Sequence, residues 1–94
     1  MNGITKQNWM GRVYTLTQES VDGVLTGNTV ISTDGKSITV NATIDKLAQG
    51  WYDWLVRGWM IQNAFSFLNP DEREFLMTSM TPTEWDELFK AREE

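Results

Sequence analysis

The chain has 94 residues, enough for one domain, and its 40% hydrophobic and 12% aromatic residues are sufficient to fill a core. It contains neither cysteine nor histidine, which excludes disulfides, thiolate zinc sites, thiol nucleophiles and imidazole general bases. The net charge of −5 lies entirely in residues 70–94, where eight acidic residues outnumber three basic ones.

The first part of the chain, residues 1–42, is predicted to form a three-stranded antiparallel β-meander. Residues 12–17 alternate in polarity and are rich in β-branched and aromatic side chains, which favours a strand. Asp22-Gly23 and Asp34-Gly35 predict two-residue hairpin turns, because aspartate and glycine accept the positive φ that such turns need.

The second hairpin defines the two faces of this sheet. A turn at Asp34-Gly35 pairs Ile31 with Ile38 and Thr29 with Val40 on one face. The residues between them point to the other face and are mostly polar. This alternation is typical of a sheet that is covered on one face only.

Two further predictions concern the sheet region. Gly27-Asn28 lies inside a segment that is long for one strand, and it predicts a bulge or a break there. Residues 1–10 have little pattern, and we expect Trp9 and Met10 to anchor them.

From residue 45 the spacing of apolar residues changes to the helical period. Thr43 or Asn41 is placed to cap the start of this helix. Glycine is unfavourable inside a helix, so a break near Gly58 is expected, with helices at 45–57 and 59–67. The apolar positions are Leu47, Trp51, Trp54, Leu55, Ile61, Phe65 and Leu68.

Residues 69–94 are predicted to form an acidic helix–turn–helix tail. Asn69-Pro70-Asp71-Glu72 and Thr81-Pro82-Thr83-Glu84 each place a capping side chain before proline, with glutamate three residues after the cap. These signals predict helices at about 70–78 and 82–92. The chain as a whole, residues 1–94, is therefore expected to be a single α+β domain, in which three to four short helices pack on one face of the sheet.

The five tryptophans are a prominent feature of the composition. Trp51 and Trp54 lie on the apolar helix stripe, and we expect them in the core. Trp59 lies off that stripe, beside Tyr52 and Val56, if the helix continues through Gly58. It would then be an exposed interface hot spot, whereas a break at Gly58 would turn it inward.

The acidic tail has two interpretations. Acidic residues in the first turn of a helix stabilise it through the helix dipole, which needs no partner. Alternatively, the tail forms an acidic surface that docks on a basic patch of another protein. In the second interpretation the partner-binding residues, together with Trp59, are Asp71, Glu72, Glu74, Glu84, Asp86 and Glu87.

No residue pattern indicates a reaction. The chain has no phosphate-binding loop, nucleophile elbow or paired-aspartate motif, so we expect no catalytic residues, no metal ligands and no cofactor. A carboxylate-dependent magnesium enzyme is the less favoured alternative. Direct nucleic-acid binding is not expected, because the eight basic residues are scattered.

The cellular setting follows from the N-terminus and the apolar runs. Residues 1–6 lack the charged-then-apolar order of a signal peptide. Charged residues interrupt the longest apolar-rich stretch, residues 51–68, so we expect no membrane contact. A cytoplasmic location in the host cell is the expectation.

Residues 60–89 read MIQNAFSFLNPDEREFLMTSMTPTEWDELF. This segment resembles small uncharacterised bacteriophage and prophage proteins that have an IQ-x-A segment before EREFL and a TP-x-EW segment near the end. Those proteins often have glycine before the second cap, where this chain has Ser79 and Met80. The resemblance implies a phage context and no catalytic activity. Its shared apolar residues, Leu68, Phe75, Leu76, Trp85 and Phe89, are expected to close a small core under the two caps.

These observations together predict a non-enzymatic interaction protein of phage type. It would bind a host or phage protein with a basic surface, in one version as an inhibitor of a defence or nucleic-acid-processing enzyme. The alternative is a structural role as a homo-oligomer or virion accessory protein that uses a sheet edge or the aromatic surface.

Overall fold

The computed structural model describes residues 3–81, 83, 84 and 86–88, and it has the expected α+β class. Four strands form one antiparallel sheet in the order β1-β2-β3-β4: β1 (Gly3–Gln7), β2 (Val13–Val21), β3 (Val24–Thr33) and β4 (Lys36–Val40). Three helices follow: α1 (Ile44–Leu55), α2 (Ile61–Ala64) and α3 (Pro70–Thr78). Residues 83, 84 and 86–88 are also helical.

The sheet has one strand more than the sequence pattern predicted. The additional strand is β1, which pairs with β2 from Gly3 opposite Thr17 to Gln7 opposite Val13. The prediction that Trp9 and Met10 anchor this segment is wrong, since both side chains are more than half exposed.

Asn8 anchors the N-terminal segment instead. Its side-chain amide donates to the carbonyls of Leu76 and Met77, at 3.3 and 3.2 Å. Its carbonyl oxygen accepts from the backbone amides of Met10 and Arg12. A buried polar side chain with every group paired ties the β1–β2 loop to the end of α3.

The predicted hairpin turns and register are confirmed. Asp22 and Asp34 have φ of 52° and 50°, and each is followed by a glycine with positive φ. Ile31 pairs with Ile38 and Thr29 with Val40. The expected irregularity near Gly27 is also present, because the β2–β3 register shifts between Gln18 and Ser20.

The helices cover one face of the sheet, and the core lies between them. The other face carries polar side chains such as Thr15, Thr17 and Thr39, which are exposed. The core comprises Tyr14, Leu16, Ile31, Val40, Ala42, Leu47, Trp51, Ala64, Phe65, Leu68, Phe75 and Leu76. Trp51 is buried and Trp54 packs partly buried against this cluster, as the helix stripe predicted.

The helix starts agree with their predicted caps. The Thr43 hydroxyl accepts from the amide of Lys46 at 3.2 Å. Asn69 and Glu72 form the predicted capping box of α3, with hydrogen bonds of 2.8 and 2.9 Å. The chain breaks at Gly58, as expected, with a φ of 77°.

The later elements differ from prediction in length. The second helix extends only over Ile61–Ala64, shorter than the predicted 59–67. The third has the predicted bounds, Pro70–Thr78. Of the expected small core under the caps, Leu68, Phe75 and Leu76 are buried, while Trp85, Phe89 and the predicted helical residues 89–92 lie outside the described residues.

Candidate functional site

Five large apolar side chains remain exposed where α1 ends. Their exposed fractions lie between 39% and 67%. We name this set the apolar shoulder: Tyr52, Leu55, Val56, Trp59 and Met60. Since the helix ends at Leu55 and Gly58 takes a positive φ, the following residues turn back, and the amide of Trp59 donates to the carbonyl of Asp53 at 2.9 Å.

Trp59 is exposed but held in place by its neighbours. The Arg57 guanidinium lies 4.7 Å from the centre of the Trp59 ring, a cation–π contact worth about 0.5–1 kcal/mol at an exposed site. Arg57 also donates to the buried carboxylate of Asp53 at 3.2 Å, and Gln49 donates to the same oxygen at 3.1 Å. The break at Gly58 therefore did not turn Trp59 inward.

A groove adjoins the apolar shoulder between α1 and strand β1. Its lining includes Trp51, whose indole nitrogen donates to the carbonyl of Gln7 at 3.0 Å. Its volume is about 220 Å³, and it is lined by Lys6, Gln7, Trp51, Tyr52, Leu55 and Val56. Small-molecule pockets usually measure about 300–1,000 Å³, so this space, which we call the α1–β1 groove, is smaller than a typical ligand pocket.

The six predicted acidic site residues lie on the later helices, apart from the apolar shoulder in the chain. No hydrogen bond or ion pair in the described residues joins them to Trp59 or Arg57. Asp71, Asp86 and Glu87 are exposed, and Glu74 is half-buried. The predicted site residues therefore comprise one apolar residue, Trp59, and an acidic set on the later helices, with no polar contact between them in the described part of the chain.

Glu72 and Glu84 have local partners. The Glu72 carboxylate accepts from the amide of Asn69. The Glu84 carboxylate accepts from the amide of Thr81 at 2.9 Å and pairs with Lys36 at 3.2 Å. This ion pair ties the helical residues around Glu84 to strand β4. A carboxylate that already accepts a hydrogen bond in a helix cap is less available to bind another protein.

Glu84 provides a pH-dependent test of this arrangement. The hydrogen bond from the Thr81 amide and the neighbouring Lys36 ammonium lower the pKa of the Glu84 carboxyl. A lowered pKa in the folded state means that the carboxylate stabilises the fold above the unfolded pKa and that this contribution is lost as the pH falls through the folded pKa. NMR titration is expected to place the Glu84 midpoint below that of an unperturbed glutamate, and Lys36→Met to move it upward. A Glu84 midpoint at the unperturbed value would contradict the capping geometry.

Three further features of the described residues concern metal binding, membrane contact and a second cavity. No three acidic residues in the described ranges are grouped so as to hold a metal ion. No helix among them is long and apolar enough to cross a bilayer. A cavity of about 410 Å³ lies beside Arg12 and Asp34, but the two charges already pair with each other.

The sequence predicted Trp59 beside Tyr52 and Val56 only for a helix that continues through Gly58, and α1 instead ends at Leu55. It also assigned Leu55, which is 39% exposed, to the apolar core stripe. The α1–β1 groove was not predicted, because β1 forms one of its sides and the sequence pattern did not predict that strand. Lys6 and Gln7 carry no signal of their own until that strand is placed.

The fold and the surface together define a small α+β protein with an exposed apolar shoulder and with acidic residues on its later helical segments. Comparisons with protein-family models, with curated proteins and with solved structures give no match to this chain.

Proposed function

We propose that this chain is a non-enzymatic interaction protein of phage type, which binds a host or phage protein with Trp59 at the centre of the contact. The observation that carries the proposal is the apolar shoulder. Large apolar side chains concentrated in one exposed patch are typical of protein-binding surfaces, and tryptophan is enriched among interface hot spots. Arg57 holds the Trp59 ring, so less side-chain entropy is lost on binding.

We propose that the acidic residues of the later helices add electrostatic attraction to this binding. Asp71, Glu74, Asp86 and Glu87 have no ion pair within the described residues, and their carboxylates attract a basic partner surface. Glu72 and Glu84 act mainly by capping the helices that carry the other four. Basic surfaces are common on nucleic-acid-processing enzymes, so a defence or nucleic-acid enzyme, inhibited by occupation of its basic surface, is the partner class we propose.

The experiment is a pull-down from the host with mass spectrometry of the retained proteins, followed by affinity measurement on the captured partner. Trp59→Ala is expected to weaken binding by about 2 kcal/mol or more, roughly 30-fold. Raising the salt concentration is expected to weaken it further. The matched control is Trp9→Ala, which removes an exposed tryptophan elsewhere and is expected to leave the affinity unchanged. Equal affinities of wild type and Trp59→Ala would reject the apolar shoulder as the contact.

A second candidate function is a structural role as a homo-oligomer or virion accessory protein. Strand β1 is at the edge of the sheet, and no strand in the described part of the chain covers its outer side. An unpaired edge next to an apolar groove is a common site of self-association. A mass that rises with concentration in light scattering supports this candidate, and a constant monomer mass counts against it.

A further inference from the structure

The central hairpin of the sheet extends beyond its neighbours. Strand β1 pairs with β2 only along residues 13–17, and β4 pairs with β3 only along residues 29–33. Residues 18–28 therefore form a two-stranded ribbon that projects past the sheet by about 14 Å, the length of four strand residues. We call this segment the ribbon.

The ribbon is braced internally. The Glu19 carboxylate accepts from the Thr26 hydroxyl at 2.9 Å and from the Asn28 side-chain amide at 3.2 Å, across the register shift. At the tip, Asp22 and Gly23 both take positive φ, which matches the twist of the two strands. A ribbon stiffened in this way loses little conformational entropy when it docks.

The tip of the ribbon is apolar and acidic. Val21, Val24 and Leu25 have exposed fractions between 53% and 67%. Glu19 and Asp22 give the ribbon two negative charges, and it contains no basic residue. Neither β1 nor β4 extends alongside these side chains, so their neighbours lie within the ribbon, where Val21 pairs with Val24.

The α1–β1 groove has the complementary character. Its lining is apolar along Tyr52, Leu55 and Val56, and it also includes Lys6, a positively charged residue. No ion pair of Lys6 is present in the described residues. The groove thus offers an apolar slot with a positive group, and the ribbon offers apolar side chains with negative groups.

We propose that the ribbon of one copy inserts its tip into the α1–β1 groove of a second copy. The proposal rests on the second function given above, and it names the occupant of the groove. One contact then covers two apolar surfaces that the single chain leaves open. It also brings the carboxylate of Asp22, which has no ion pair in the described residues, toward the positive charge of Lys6.

The proposed contact is heterologous: a copy that receives a ribbon docks its own ribbon on a third copy, and a wild type that stops at a reciprocal dimer would overturn this arrangement. Each copy that has docked its ribbon still has a free groove, and its partner still has a free ribbon. Such an interface continues from copy to copy and produces a closed ring or an open filament. A self-complementary dimer would instead use both surfaces at once.

The test measures mass by light scattering from roughly 10 μM to roughly 1 mM. Weak complexes typically bury less than about 1,200 Å², and a ribbon tip in a groove is a small contact, so high protein concentrations are needed to populate it. The wild-type mass is expected to exceed that of a dimer at the highest concentration. Val24→Asp, at the ribbon tip, and Val56→Glu, in the groove, are each expected to remain monomeric. Both residues are exposed, so circular dichroism is expected to show the wild-type fold.

A one-to-one mixture of the two variants provides the decisive result. Val24→Asp retains a working groove and Val56→Glu retains a working ribbon, so the mixture is expected to form dimers and nothing larger. The matched control, Thr39→Asp on the open face of the sheet, is expected to assemble like wild type. A monomeric wild type, unchanged assembly by either variant, or a monomeric mixture would each overturn the proposal. If the self-association proposal fails in this way, a different captured protein whose binding is lost in Trp59→Ala would still support the proposed interaction function.

Discussion

Replacement of Phe65 by alanine is expected to lower the free energy of unfolding by about 3–5 kcal/mol. Phe65 is fully buried, and its ring centre lies 5.5 Å from that of Trp51, 6.1 Å from that of Trp54 and 5.9 Å from that of Phe67. Removal of the ring loses its burial and leaves a cavity among three aromatic side chains. A domain of this length has a stability of only about 5–14 kcal/mol, so the loss is a large part of the total.

Urea unfolding followed by circular dichroism measures this change without relying on a tryptophan that the substitution disturbs. The control is Trp9→Ala, which truncates an exposed aromatic side chain and is expected to change stability by no more than about 0.5 kcal/mol. A loss below about 1 kcal/mol for Phe65→Ala would mean that the aromatic cluster is not the centre of the core.

Most of the sheet was predictable from the sequence because its determinants are local. The Asp34-Gly35 turn fixes the whole register of β3 and β4. The Asp22-Gly23 turn fixes the pairing of β2 and β3 only as far as Ser20 and Leu25, because the register shifts beyond them. Strand β1 was not predictable in the same way. Its five residues form a strand because β2 presents a free edge to them, which is a property of β2.

The helix starts were predictable for the same reason. A capping box is complete within four residues, and the boxes that begin at Asn69 and Thr81 both form. The length of α2 was not predictable, because Trp59 and Met60 leave the helical conformation after Gly58 and this depends on how the segment packs. Ser79 shows a similar dependence: it takes a φ of 64°, a conformation usual for glycine.

The candidate site was predictable only in part. The position of Trp59 off the apolar stripe is a sequence property, but its exposure depends on the direction of the chain after Gly58. The acidic residues could be counted from the sequence. The ion pair of Glu84 could not be predicted, because its partner Lys36 lies 48 positions away in the chain. Predicting the ribbon requires knowing where β1 and β4 end, and predicting the α1–β1 groove requires knowing that β1 exists.

Gly50→Ala is expected to destabilise the protein, although alanine is normally the better helix former. A β-carbon at Gly50 would lie 2.7 Å from Cε1 of Phe65, 2.9 Å from Cδ1 of the same ring and 3.0 Å from the carbonyl oxygen of Ala64. The ring is held by Trp51 and Trp54, so it cannot move away freely. Overpacking costs about 1–3 kcal/mol and exceeds the gain of about 1 kcal/mol in helix propensity.

A double-mutant cycle with Phe65→Leu separates these two effects. Leucine ends before the position of Cε1, the ring atom closest to the new methyl group, and its side chain can rotate away. In that background Gly50→Ala is expected to destabilise the fold by at least about 1 kcal/mol less than in wild type, measured by urea unfolding. Equal effects in both backgrounds would show that the methyl group meets the Ala64 carbonyl and not the ring. The close approach of α1 to Phe65 therefore depends on the absence of a side chain at Gly50, and the exposed end of the same helix carries the apolar shoulder.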